Sequence, residues 1–276
     1  MDKSNLFRKH AARFVGNLNR LLVRQEGQDR PGVLLNSLPK SGTHLLQPML
    51  LSAGLVDYQG FFASTPPLTM RRRSDHLACR ALPKIMPNEL FSGHIFFAKQ
   101  LEEIIKESRI PSIFIYRDPR AVFLSELNYV HEMNRWHRYH KFVKRAGTRE
   151  AAFDLLLQGM PDADFFFPPF AERVRPYTGW LNSEGTFSLR FEDLIGPSAH
   201  FSVARLLEYL SSFHNDYEDL VSDAELPSRM LGHVGSDSSH TFTGQDPNRW
   251  KSVLSGGEIE ALDFELAEIV ECMGYK

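Results

Sequence analysis

The sequence predicts an α/β fold in which helices flank a central parallel sheet, and three observations carry that prediction. Ile113-Phe114-Ile115-Tyr116 is a continuous apolar run after Pro111, the pattern of a strand buried on both faces. Shorter apolar runs at Val33-Leu34-Leu35, at residues 90–94 and at residues 187–191 are separated by segments of helical periodicity. Strands alternating with helices build right-handed βαβ units, whose ligands collect beyond the carboxyl ends of the strands.

The elements follow in order. Leu6, Phe14, Leu18, Leu21 and Leu22 fall at helical spacing and predict an amphipathic lead-in helix ending near Gly27. The strand at Val33-Leu34-Leu35 turns through Asn36-Ser37-Leu38-Pro39-Lys40-Ser41-Gly42-Thr43 into a helix over residues 45–53. A second strand, residues 90–94, precedes a helix over 97–109 with Leu101, Ile104 and Ile105 inward. The third strand ends at Arg117-Asp118-Pro119-Arg120, and a helix through Ala121, Val122, Leu124 and Ser125 follows. The fourth, residues 187–191, ends at Glu192-Asp193-Leu194. Residues 61–73, with Pro66-Pro67 and Arg71-Arg72-Arg73, and residues 160–170, with Phe165-Phe166-Phe167, read as long loops of the kind that bind or cover ligands. The whole of 1–276 reads as one domain: lead-in 1–30, core 31–255 and C-terminal helix 256–276.

Composition narrows the class. With 276 residues, 42% hydrophobic and 24% charged, the chain can bury a real core, which excludes disorder, collagen and disulfide scaffolds. Its 32 basic and 34 acidic residues leave a net charge of −2, which argues against a nucleic-acid coat protein. Cys79 and Cys272 lie in no metal-binding spacing, and His137 and His140 lie in a basic stretch without acidic or thiol ligands, so no metal site is expected. The first ten residues have no apolar core and no long uncharged run occurs later, so a cytoplasmic protein without membrane insertion is expected. Arg135, Arg138, Lys141, Lys144, Arg145 and Arg149 form a basic stretch, whereas Glu258, Glu260, Asp263, Glu265, Glu268 and Glu271 crowd the last helix. Both read as solvated helix faces, the first alternatively as a rim that attracts anions.

Chemistry concentrates in Pro39-Lys40-Ser41-Gly42-Thr43, where a buried strand meets a helix start. Backbone N–H groups and the positive end of the helix dipole converge there, which makes a phosphate cradle. It is not a Walker A loop, because Lys40 precedes Gly42 instead of following it. Arg117 stands at the carboxyl end of the best strand, where a planar guanidinium grips phosphate bidentately. His94 ends its own strand, and Gly93 before it leaves room for a ligand to approach.

The string Pro39-Lys40-Ser41-Gly42-Thr43 resembles the phosphosulfate loop, PKSGTTW, of sulfotransferases that use 3′-phosphoadenosine 5′-phosphosulfate (PAPS). Tyr116-Arg117-Asp118-Pro119-Arg120-Ala121-Val122 with Ser125 is similar to the family's 3′-phosphate segment, RNPRDVxxS. Arg190-Phe191-Glu192-Asp193-Leu194 resembles its YEDL, and Gly244 with Trp250-Lys251 its C-terminal RKGxxGDWK. The four occur in family order between Asn36 and about Leu254. The resemblance implies a three-layer P-loop-like fold and PAPS as co-substrate, with no metal required. It also implies transfer of a sulfonate to a hydroxyl or amine by in-line displacement, releasing adenosine 3′,5′-bisphosphate (PAP). It makes His94 the general base and Lys40 the catalytic cation. Lys40, Ser41, Gly42, Thr43, His44, Arg117, Ser125 and Phe191 become the nucleotide site.

The departures are equally specific. His44 and Leu45 replace the family's Thr-Trp, so the adenine contact of that Trp must come from elsewhere. Ser92 stands where a lysine often assists the sulfonate, and Phe191 replaces a tyrosine. Thr241-Phe242-Thr243-Gly244 stands in place of the RKG pair that clasps the 3′-phosphate, leaving Arg249 and Lys251 to compensate. The acceptor stays open: Phe61, Phe62 and Phe165 to Phe167 suit an apolar small molecule, while Arg71 to Arg73 and the basic stretch suit an anionic glycan. A nucleotide or small-molecule kinase and a non-catalytic nucleotide-binding module are the alternatives, and oligomeric state is not legible.

Overall fold

The computed structural model describes residues 30–213, 217–234 and 246–276. Five strands, β1 (Val33–Ser37), β2 (Phe61–Ala63), β3 (Leu90–His94), β4 (Ser112–Tyr116) and β5 (Thr186–Arg190), form one sheet in the order β2-β3-β1-β4-β5. Every neighbouring pair is parallel. The order reverses at β1: the chain goes from it to β2 and β3 on one side, then crosses to β4 and β5 on the other. That reversal opens a crevice at the carboxyl ends of β1, β3 and β4, where open α/β sheets place their ligands.

Helices cover both faces. Val33, Leu35, Ile113 and Ile115 pack under α1 (Thr43–Ser52) and α9 (Ala199–Ser211), while Leu34, Phe114 and Tyr116 face the opposite core. That second core is closed by α2 (Asp75–Ala81), α3 (Lys99–Glu107), α4 (Pro119–Asn128), α5 (His140–Arg145), α6 (Arg149–Gln158), α7 (Phe170–Val174) and α13 (Gly256–Cys272). The short helices α8 (Phe191–Ile195), α10 (Glu218–Ser222), α11 (Leu226–Leu231) and α12 (Arg249–Val253) complete the described set. β1 and β4 are buried at all five positions, as an apolar run covered on both sides requires. Within β1 the polar Asn36 is also fully buried; its amide donates to Ile95 O at 3.1 Å and its carbonyl accepts from Ile95 N at 2.8 Å, extending the ladder past the end of β3.

The structure departs from the sequence reading at several places. Residues 61–73 are not irregular throughout, because Phe61–Ala63 pair with Ser92, Gly93 and His94 as an edge strand too short to show alternation. The helix expected over 97–109 spans Lys99–Glu107, since Phe97 N–H donates to Pro176 O at 2.7 Å and Ala98 is extended. Phe191 leaves β5 to begin α8. Phe62, Phe165 and Phe167 are core residues, Phe167 stacking on Tyr139 with centroids 3.7 Å apart, whereas Phe61 is exposed and Phe166 half-buried. Gly93 makes room for the protein itself, as a Cβ there would lie 2.9 Å from Ile95 and 3.2 Å from Phe62 O. The acidic face of α13 is exposed at all of its six acids but Glu258, as read from the sequence, and three of them also meet arginines: Glu258 with Arg149 at 2.6 Å, Asp263 with Arg120 at 2.9 Å and Glu268 with Arg175 at 3.1 Å. The lead-in helix lies outside the described residues.

Arg120 locks α13 beneath the crevice. Buried itself, it bonds both carboxylate oxygens of Asp118, reaches Asp263 and the backbone oxygen of Lys276, and lies 4.4 Å from the centre of the Trp250 ring. Asp118 in turn caps α4 by accepting from Arg120 N–H at 2.9 Å. Removing one partner of such a buried pair strands a charge, so Arg120→Ala is expected to lower unfolding free energy by about 3–5 kcal/mol in urea titration.

Candidate active site

The loop after β1 owes its shape to two residues with positive φ, Lys40 at 68° and Gly42 at 100°. This turn aims the first N–H groups of α1 outward, where no carbonyl of the helix can meet them. Gly42 is obligatory for a second reason: a Cβ there would sit 2.5 Å from Phe191, whose ring closes the loop from the β5 side. Ser41 is fully buried, and its Oγ has no hydrogen-bond partner among the described residues.

Two side chains link this loop to the histidine at the end of β3. Thr43 Oγ1 and Ser37 Oγ are 2.6 Å apart, and Ser37 Oγ lies 2.9 Å from His94 Nδ1. His94 Nδ1 is also 3.2 Å from Ser37 O. A carbonyl oxygen only accepts, so Nδ1 carries the proton toward it and Nε2 keeps its lone pair. Burial pushes His94 down to about 4, with His44 and Lys40 nearby adding to the effect, and the bond to Ser37 O opposes this only in part. Phe61, from β2, meets the imidazole edge-on at 5.6 Å. His94 is therefore a neutral, oriented imidazole at pH 7.

Lys40 is held on the other side. Its Nζ lies 3.9 Å from the centre of the Tyr129 ring, and Tyr129 OH accepts from Asn134 Nδ2 at 2.7 Å. Tyr129 starts a single π-helical turn, Tyr129–Met133, that widens the end of α4 and turns the ring into the crevice. Burial and the nearby Arg117 lower Lys40 to about 8 against the raising effect of Glu126. Arg117 follows β4, and its guanidinium lies 4.3 Å from the centre of the Phe191 ring. Its Nε is buried without a partner, and burial lowers its pKa despite Glu192, Tyr275 and Asp118. Ser125 lies half-buried on α4.

The crevice thus brings together Lys40, Ser41, Gly42, Thr43, His94, Arg117 and Phe191. His44 is exposed on the first turn of α1, and Lys251 is exposed on α12, which packs against α4. Thr241 to Gly244 lie outside the described residues. Tyr129 escaped the sequence reading, which named Ser37 and Glu192 only within strings and gave them no role. Ser37 was the more accessible of those two, a polar residue ending a buried strand beside the loop. His137 accepts from Tyr139 N–H at 3.2 Å and is pushed to about 3 by burial, Arg173 and Lys40. Among the described residues, no three His, Cys, Asp or Glu side chains are grouped to hold a metal ion.

The family model described as a sulfotransferase domain matches residues 30–212, well over half of the chain. The chain belongs to the sulfotransferase family. Its structural neighbours agree in fold: mouse sulfotransferase SULT7A1 complexed with PAP superimposes with a TM-score of 0.55 at 17% identity, covering 87% of this chain and 85% of that one. Retinol dehydratase in complex with retinol and PAP gives 0.52 at 11% identity, covering 88% and 82% respectively. No curated protein matches this sulfotransferase significantly in sequence. The residues present suit the family's co-substrate, PAPS. The Gly42 turn without a Cβ leaves backbone amides open, and the buried Ser41 hydroxyl and Arg117 Nε have no partner among the described residues, so donors that could meet phosphate oxygens are present.

Gly42→Ala tests the turn directly. It forces a Cβ into Phe191 at a φ that L-residues avoid, and is expected to cost about 1–3 kcal/mol of stability. PAP should then protect the variant less than the parent against heat, read as the shift in melting temperature at equal PAP.

Proposed function

We propose that this sulfotransferase moves the sulfonate of PAPS to a hydroxyl or amine of its acceptor, with His94 as general base and Lys40 as the cation at the leaving group. The Thr43–Ser37–His94 chain carries this reading, because it fixes the base relative to the phosphate loop. His94 Nε2 takes the acceptor proton as the acceptor atom bonds to sulfur and the bond from sulfur to the bridging phosphate oxygen breaks in line. Lys40 and the amides of residues 41–43 offset the charge that grows on that oxygen, which leaves as part of PAP. Holding both substrates at the ends of β1 and β3 supplies much of the rate.

Arg117 and Ser125 are assigned the 3′-phosphate, supported by the unpartnered Nε of Arg117, with Phe191 and His44 against the remainder of the nucleotide. Arg249 and Lys251 are assigned the support otherwise given by the missing RKG. Residues 1–276 are taken as one domain, in the cytoplasm; Cys79 and Cys272 are both free thiols. Among the described residues, no helix is long and apolar enough to cross a membrane. The kinase alternative is not favoured, since the family match and the Lys40-before-Gly42 order both oppose it.

The two titrations set the pH profile. His94 works only while neutral, so kcat/KM should fall as pH drops through about 4; Lys40 works only while charged, so it should fall as pH rises through about 8. A plateau is expected between, and a limb near 6.5 would contradict a buried base. His94→Ala should lower kcat by about 10²–10⁴-fold while calorimetry finds PAP affinity nearly unchanged.

Arg117→Ala should weaken PAP binding about ten- to a hundredfold and leave adenosine 5′-monophosphate almost unaffected, because only PAP carries the 3′-phosphate. Equal losses in calorimetric titrations of the two nucleotides would remove Arg117 from that role.

A further inference from the structure

The rim above His94 is built from arginines whose charges are left available. Ser64 N–H donates to His94 O at 2.9 Å and Arg73 N–H donates to Ser64 O at 2.7 Å, so the triplet Arg71-Arg72-Arg73 is tied by two backbone bonds to the base itself. Across the mouth, Arg138 N–H donates to Pro67 O at 2.9 Å and Phe166 N–H to Met70 O at 2.7 Å, which fastens the 134–138 and 164–166 segments to the same loop.

Three guanidinium groups of this rim lie against rings of the underlying core: Arg73 at 5.4 Å from the centre of Phe62, Arg72 at 5.4 Å from Phe96 and Arg138 at 4.8 Å from Phe165. An aromatic face holds a guanidinium in place and leaves its N–H edge free, the edge that pairs bidentately with carboxylate, sulfate or phosphate. Among the described residues the only acid within ion-pair distance of the three is Asp164, 3.5 Å from Arg138 and itself exposed. Elsewhere Arg120, Arg149, Arg173, Arg175 and Arg229 do meet carboxylates. Leu68 and Trp136, 65% and 54% exposed, stand beside Pro67 and Arg138 and offer apolar surface on the same rim.

We propose that this rim is an acceptor subsite for anionic groups, with Arg72, Arg73 and Arg138 gripping a carboxylate or sulfate of a ring-containing acceptor whose hydroxyl or amine reaches His94. The inference rests on the sulfotransferase reading and deepens it by naming the acceptor's charge. Phe62, Phe165 and Phe167 of the aromatic residues first suggested for an apolar acceptor are in the core, whereas Arg72 and Arg73 are exposed and Arg138 is half-buried at the mouth, beside the exposed Phe61.

The test uses PAP-saturated protein and two matched pairs of probes, titrated calorimetrically: 4-hydroxybenzoate against 4-hydroxybenzamide, and a chondroitin tetrasaccharide against chitotetraose. In at least one pair the anionic member should bind about tenfold or more tightly, and which pair responds tells a small arene from a glycan. Arg72→Gln with Arg73→Gln, and separately Arg138→Gln, should erase that preference. Arg205→Gln, exposed on α9 at the opposite face, should keep it. All variants should bind PAP as the parent does, which shows that they are folded and that the nucleotide site is separate. PAP binding with no anionic preference in either pair, or a preference untouched by the arginine variants, overturns the subsite. Failure of the parent protein to bind PAP overturns the nucleotide reading, and this inference with it.

Discussion

The organisation of the crevice depends on one turn, the passage from β1 into α1 at Lys40-Ser41-Gly42. Its two positive φ angles expose the first amides of α1, and its lack of a Cβ at Gly42 lets Phe191 close against it. Since Phe191 also lies under Arg117, the same glycine that opens the amides sets the position of the guanidinium at the end of β4. Ser37 and Thr43, on either side of the turn, then reach across to His94. Three neighbouring strands are coupled at their carboxyl ends by side chains that touch this one loop.

Holding cations close together without neutralising them is the second physical problem the fold solves. Burial depresses both Lys40 and Arg117, and Arg117 depresses Lys40 further, so each would be costly without compensation. Aromatic faces supply part of it: Tyr129 under Lys40 and Phe191 under Arg117 attract a cation electrostatically while leaving its donors unspent. The arginines of the rim repeat the device with Phe62, Phe96 and Phe165. Acids are used where charge has only to hold the fold, as in the Arg120 cluster beneath α4.

The strands of the central sheet were legible because burial on both faces leaves an unbroken apolar signature, as in β4. The edge strand β2 was not, since three residues of which only Phe61 is exposed show no period. In the crevice the loop, His94 and Arg117 were readable, because chain chemistry at strand ends is local and matches the family's strings. Tyr129 was hidden, as its place over Lys40 depends on a π-helical turn that widens α4 and that no residue pattern announces. Gly93 misled for a related reason: a glycine at a strand end speaks equally of a ligand and of a close neighbour, and here Ile95 and Phe62 O are that neighbour. Phe165 and Phe167 looked like binding residues because they lie between prolines outside regular structure, yet both pack on Tyr139 in the core, Phe167 stacked and Phe165 tilted.

The most direct measurement of the central claim is a crystal structure of the protein with PAP. The account places the 5′-phosphate over the amides of residues 41–43 with Ser41 Oγ in contact, the 3′-phosphate against Arg117 and Ser125, and His94 Nε2 facing the space beyond the 5′-phosphate where an acceptor would stand. PAP bound away from the β1–α1 turn, or bound there with its 3′-phosphate remote from Arg117, would contradict it.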